Sequence, residues 1–292
     1  MLNGKEIHNF AASIGIDRIG WFASRVFPDY LEALAARPEY DFLYRDHLAF
    51  EEAGRLAGQW STIVVIVADY FVERAGASTG YHLSNYSRFC WNTLNPLARQ
   101  VMDFLSVHDY HSELVNAPAR VAACVAGLGT IGKNCMFFVE GLGSYVGIHT
   151  IGTDWNEDKR TGGLELVTDP HCLGCQRCIR ACPVGAIYPE GYRIDPLRCI
   201  SFLNRHAEET YKKFPPDPKM LHGWVHGCET CQEVCSINME ANHTRRAVVP
   251  VELDIYGVRI PGTAAVDDQT LRQGLLTTTC PGYAEYIRMI CS

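Results

Sequence analysis

Apolar residues recur at helical spacing near the start of the chain, at Ile7, Phe10, Ala11 and Ile14, and Gly15 follows as a stop. The pattern predicts a helix over 3–14. Residues 16–23 then read as a strand. The stretch 28–58 is rich in Ala and Glu and predicts helix, with breaks at Pro28 and Pro38. Ser61 to Phe71 is a continuous apolar run of mostly β-branched residues, the mark of a strand buried on both faces. Further helices are predicted over 92–107 and 118–125. Met136–Val139 and Ser144–Thr153, joined by Glu140-Gly141-Leu142-Gly143, predict a β-hairpin. The polar segment 154–163 reads as a boundary. Strand-like pieces return after Val248, before a short terminal helix. Together these patterns predict an α+β fold: an α/β domain over 1–160, a cysteine-bearing module over 161–245, and a tail over 246–292 that packs back on the core.

Composition narrows the class. The chain has 292 residues, 47% hydrophobic and 20% charged, which is ordinary for a globular protein. No run reaches the roughly 20 apolar residues of a membrane helix, so no membrane association is expected. The first residues lack a basic segment followed by an apolar one, so no export signal is expected. Net charge is −7 and the pI about 5.9, which disfavours nucleic-acid binding through phosphates. Thirteen cysteines is a high count for such a chain, and eight of them fall in tight metal-ligand spacings. With no export signal, a reducing cytoplasm is the expected setting.

The chemistry is carried by those eight. Cys172-x2-Cys175-x2-Cys178-x3-Cys182-Pro183 is the bacterial ferredoxin run, in which three thiolates grip one [4Fe–4S] cluster and the fourth reaches the other. Two intervening residues let a tight turn present successive sulfurs to different corners of one cubane. Pro183 ends the turn, so Cys182 faces away. The second half is Cys199 followed, after an insertion of about 28 residues, by Cys228-x2-Cys231-x3-Cys235. The crossover assigns Cys172, Cys175, Cys178 and Cys235 to one cluster, and Cys182, Cys199, Cys228 and Cys231 to the other. Structural zinc is the competing reading, but it favours two separated C-x2-C pairs rather than a triplet with Cys-Pro. Cys90, Cys124, Cys135, Cys280 and Cys291 read as buried small residues.

Two further segments match motifs. Gly127-Leu-Gly129-Thr-Ile-Gly132-Lys133 satisfies G-x-G-x-x-G, and it satisfies the phosphate loop except that Asn134 stands where Ser or Thr coordinates magnesium. Neither motif has its strand-to-helix context here, so the segment reads as a glycine-rich turn that brings backbone close to something. Asp109-Tyr110-His111 begins a D-x-H-x-x-G corrinoid motif, but Leu114 replaces its glycine, and His111 reads as a surface residue.

These segments together resemble epoxyqueuosine reductase and, more distantly, the reductive dehalogenases. The resemblance runs through Ala117-Pro118, 126–134, 143–154, 172–187, 193–203 and 226–238, in order and at similar spacing over about residues 60–240. It implies a reductase in which two [4Fe–4S] clusters, fed by a ferredoxin or flavodoxin, reduce a base-off corrinoid (cobalamin) that acts on a small-molecule or cofactor substrate. The corrinoid-facing residues it implies are Gly127, Gly129, Gly132, Lys133 and Ser144. Several positions depart from the family. Asn116 stands where it has an acid and cannot act as a proton donor, which leaves Tyr86 and Tyr145 as candidate donors. Phe89-Cys90-Trp91-Asn92 replaces the Asp-Tyr-His triplet expected after Tyr86, and Ser236 replaces a proline. The family's tRNA-binding helical repeats are not found before Ser292, so with the acidic charge tRNA is an unlikely partner by this reading. The alternative is a corrinoid-free two-cluster electron-transfer protein that serves a partner enzyme.

Overall fold

The structure, a computed structural model, describes residues 2–24, 36, 59–71, 82–84, 94–115, 117–157, 168–203, 222, 224–241, 249–255 and 258–264. The helices expected within 28–58 and at the C-terminus lie outside these, as do Tyr86, Cys90 and Asn116. The chain divides into two units, each assembled from three segments: 1–68, 94–131 and 147–167 in one, and 69–93, 132–146 and 168–292 in the other.

The first unit is built on a sheet. Helix α1 (Gly4–Ser13) starts at a capping box: the Asn3 side chain accepts the Glu6 N–H at 3.1 Å, and the Glu6 carboxylate accepts the Asn3 N–H at 2.9 Å. Its Ile7 and Ala11 are buried. Phe10 stacks on Phe104 of α2 (Asn95–Val107) at a 4.1 Å centroid separation. Strand β1 (Arg18–Ala23) pairs antiparallel with β2 (Thr62–Asp69), from Arg18↔Val67 to Ala23↔Thr62. Every residue of β2 is buried, as the apolar run Ile63–Ala68 predicts for its middle, and the polar ends Thr62 and Asp69 are buried too. Strand β3 (Ser112–Leu114) pairs antiparallel with β4 (Val146–Thr153), and the sheet order is β1-β2-β4-β3. Helix α3 (Ala119–Val125) follows β3, as expected. Trp155 locks the core: its indole N–H donates to the Leu2 carbonyl at 3.1 Å, and its own carbonyl accepts the Thr62 hydroxyl at 2.6 Å.

The hairpin expected over 136–153 does not form as a ladder. Phe137–Phe138 is a two-residue strand, Val139 and Gly143 make an isolated bridge, and β4 joins the sheet instead. The cause is local. The N–H groups of Leu142 and Gly143 both donate to the Val139 carbonyl, so the turn closes on itself. Beyond it the Ser144 N–H is taken by the Asn238 side chain at 2.7 Å rather than by a strand.

The second unit is made of loops and short helices: α4 (Arg177–Ala181), α5 (Ile200–Leu203), α6 (Thr230–Glu233) and α7 (Ser236–Glu240). Its core includes Phe137, Phe138, Val184, Ala186, Ile187, Ile200, Leu203 and Trp224. Strands β5 (Val249–Ile255) and β6 (Val258–Ala264) pair antiparallel, from Ala264↔Val249 to Val258↔Ile255. The architecture is the expected mixture of helix and sheet. Among the described residues, no helix is long and apolar enough to cross a membrane.

Candidate metal centre

The first ligand loop is shaped by Asp169. Its carboxylate accepts the N–H of His171 at 2.9 Å and its carbonyl accepts the N–H of Cys172 at 3.0 Å, which winds the short 3-10 turn Pro170–Cys172. The Cys175 N–H then donates to the Cys172 carbonyl at 3.2 Å, closing the tight turn that the C-x2-C spacing requires. Helix α4 carries Cys178. It ends at Cys182, whose backbone is extended, and Pro183 follows. Cys182 therefore leaves the first loop, and its sulfur accepts the Ala186 N–H at 3.2 Å. Cys199 is placed by Asp195, whose carbonyl accepts its N–H at 3.0 Å. In the last loop the sulfur of Cys228 and the hydroxyl of Thr230 are hydrogen-bonded at 3.5 Å, and Cys235 caps α7.

These loops gather the thiols into two groups. Cys178 lies among Cys172, Cys235 and Cys175, and burial together with these neighbours pushes its thiol up to about 11. Burial likewise raises Cys172, against the pull of the Lys133 N–H on its sulfur, and raises Cys235, which sits beside Cys175. In the other group, burial and then the neighbouring Cys199 and Cys182 push Cys228 up to about 11. Cys231 is raised well above the ordinary thiol range by burial and by Cys228 and Cys199. It also feels Cys178, so the two groups adjoin. Neighbouring buried thiols raised in this way resist ionising alone. A polynuclear cation that binds their thiolates together removes that penalty, which is the chemistry of a cluster donor set. A solvent-open pocket is lined by Cys172, Cys175, Cys178 and Cys235 together with Lys133 and Ile237.

The other expected site residues have intramolecular roles. Gly127 (φ 71) is the left-handed residue that ends α3: its N–H donates to the Cys124 carbonyl, and the Leu128 N–H donates to Ala123. Gly132 has no side chain because a Cβ there would lie 2.4 Å from the Phe138 ring. Gly129 precedes the short strand Thr130–Ile131. Lys133 donates from its ammonium to the Cys175 carbonyl at 3.0 Å. Ser144 is buried in a polar network. Its hydroxyl oxygen accepts from Gln232 at 3.2 Å and from Asn238 at 2.9 Å, and its carbonyl accepts from Gln232 at 3.1 Å. Tyr145 is buried edge-on against Tyr70 and Phe71. Asn134 donates to the Cys231 carbonyl at 3.4 Å, which is a structural use of the side chain that breaks the phosphate-loop pattern. His111 is exposed and bonded to Asp154 at 3.2 Å. Burial pushes the Cys124 thiol up to about 12, as suits an inert core residue.

Sequence reasoning missed Gln232 and Asn238, the buried amides that tie the last ligand loop to Ser144. The available signal was two amides at fixed offsets inside a cysteine motif, Gln232 between Cys231 and Cys235 and Asn238 three residues later.

Residues 171–238 match the family described as "4Fe-4S double cluster binding domain". An epoxyqueuosine reductase of Leadbetterella byssophila is 27% identical over 272 residues, covering 85% of this chain and 84% of that protein. The Bacillus subtilis epoxyqueuosine reductase is 26% identical over 258 residues, 80% of this chain. The match spans 63% of that protein, less than two thirds of its length. A crystal structure of an epoxyqueuosine reductase with an epoxyqueuosine-modified tRNA-Tyr stem loop aligns at a TM-score of 0.66 with 26% identity, over 82% of this chain and 66% of that one.

This last comparison corrects the expectation that tRNA is an unlikely partner, because a protein alike in both sequence and fold was solved with a tRNA stem loop bound. The net charge of −7 is a sum over the whole chain and does not exclude a local basic face. In sequence across most of its length, in fold and in its double-cluster module, the chain is similar to the epoxyqueuosine reductases.

Proposed function

We infer that the chain is a two-cluster iron–sulfur reductase of the epoxyqueuosine type, acting on a modified nucleoside carried by a tRNA stem loop. The observation that carries this reading is the match of residues 171–238 to a 4Fe-4S double cluster binding domain, for which Cys172, Cys175, Cys178 and Cys235, and Cys182, Cys199, Cys228 and Cys231, would be the two ligand sets. When bound, [4Fe–4S] clusters supply one-electron transfer. The chain's own part is to hold them side by side. Helix α4 would give Cys178 to one quartet and its cap, Cys182, to the other, so the two sites would share one short element. Backbone donors to sulfur, from Lys133 to Cys172 and from Ala186 to Cys182, stabilise thiolate charge.

The resemblance also implies a base-off corrinoid between the clusters and the substrate, where it would supply Co(I) chemistry. The residues implied for it do not carry that fit. Gly127, Gly132, Lys133 and Ser144 are each explained by a helix cap, a ring contact or a hydrogen bond of the chain itself. The same contacts favour a second reading in which the clusters pass electrons without a corrinoid.

One anaerobic experiment separates these. The chain is reconstituted with iron and sulfide, incubated with cobalamin and desalted, and bound cobalt is measured. The same sample, reduced with dithionite, is given an epoxyqueuosine-modified tRNA stem loop, and loss of the modified nucleoside is followed by mass spectrometry. Turnover supports the reductase reading, and retained cobalt gives it a corrinoid. Both clusters intact with neither cobalt nor turnover would replace it with the electron carrier.

A further inference from the structure

Lys133 lies 39 residues before the first ligand cysteine, yet it belongs to the cysteine unit and touches its first quartet twice. Its backbone N–H donates to the sulfur of Cys172 at 3.5 Å, and its ammonium donates to the carbonyl of Cys175 at 3.0 Å. Both ends of the residue are held. The Lys133 carbonyl accepts the Tyr192 N–H at 2.9 Å. Its side chain lies so close over Gly191 that a Cβ there would sit 2.5 Å from Cγ. The next residue, Asn134, reaches the other quartet, donating to the Cys231 carbonyl through a neutral amide. One dipeptide thus puts a positive charge beside one ligand set and only a dipole beside the other.

A cluster gains a negative charge on reduction. A fixed cation and an N–H donor at its edge stabilise the reduced form more than the oxidised one and raise the reduction potential. Other charges face the same cavity. Arg177 and His171 also line it but are exposed, where solvent screens them. The Asp169 carboxylate opposes the cation at Cys172 and is itself bonded to His171. Lys133 is half-buried and clamped, so its charge is held in place.

We propose that Lys133 is a positioning residue that raises the potential of the cluster on Cys172, Cys175, Cys178 and Cys235 relative to the cluster on Cys182, Cys199, Cys228 and Cys231, and so biases where an incoming electron rests. The proposal rests on the two-cluster reading above. It is tested by potentiometric titration of the reconstituted full chain followed by EPR, with iron measured on each sample. Lys133→Met removes the charge and keeps the backbone donor. One of two reduction waves should then move to more negative potential by about tenfold in the reduced-to-oxidised ratio, about 59 mV for a one-electron couple. The other wave should stay, iron content should hold, and Lys133→Arg should leave both waves nearly in place. The moving wave should be the one absent from Cys178→Ala. Unmoved waves, equal movement of both, an Arg variant as shifted as the Met variant, or loss of iron from Lys133→Met would each overturn the proposal. A native chain that shows fewer than two waves would instead remove the reading beneath it.

Discussion

In the sheet unit, β2 buries every one of its residues, from Thr62 to Asp69, and Ile63 through Val67 are fully enclosed. In the cysteine unit, the stretch from Pro170 to Cys182 buries only Cys172, and Leu173 stands 77% exposed. The helices there are four or five residues long, far below the length at which a helix holds by itself. What fixes those loops is turn hydrogen bonding and the buried amides of Gln232 and Asn238. One region is held by apolar burial. The other is arranged around donors that a metal cluster would cross-link, which would couple metal binding to the folding of this unit.

That contrast can be broken at either end. The largest effect is expected from Cys178→Ala: iron per reconstituted chain should fall from about eight to about four, each cubane having four irons. Full iron retention in a colorimetric assay would contradict the ligand grouping. Next, Ile66→Ala removes a fully enclosed side chain of β2 and should lower stability by about 2–5 kcal/mol in denaturant unfolding, with iron content unchanged. A parallel fall in iron would show that the sheet unit also supports the clusters. Asn238→Ala should cost about 1–3 kcal/mol, because it strips the buried partner from the Ser144 N–H and from the Gln232 carbonyl. It should also speed iron loss to a chelator, which Ile66→Ala should not do. The smallest effect, about 1–2 kcal/mol, is expected for Gly127→Ala, which puts a Cβ on a left-handed helix end. Cobalt and iron retention should be unaltered by it. A selective loss of cobalt would restore the glycine turn as a corrinoid contact.

The same contrast explains what could be read beforehand. The buried strand, the first helix with its Gly15 stop and the helix after Pro118 all announce themselves locally. The ferredoxin spacing is also local. Contacts between residues far apart in the chain were not legible. The expected hairpin depended on whether Ser144 would find a strand or Asn238, 94 residues away, and no periodicity encodes that choice. The glycine-rich turn invited a ligand because glycine permits close approach. Its nearest partners are the chain's own Cys124 carbonyl and Phe138 ring. Lys133 is expected from the resemblance to face a corrinoid, and its partners are the cysteine turn about 40 residues on. Whole-chain charge misled on tRNA for a similar reason, since a sum carries no information about where the charges lie.

The most direct test of the central claim is an anaerobic count of iron and acid-labile sulfide on the reconstituted full chain, with EPR after dithionite reduction. Two quartets that each hold a cubane predict about eight irons and about eight sulfides per chain, with spectra broadened by interaction between neighbouring clusters. About four irons, or stoichiometric zinc with no cluster signal, would contradict it.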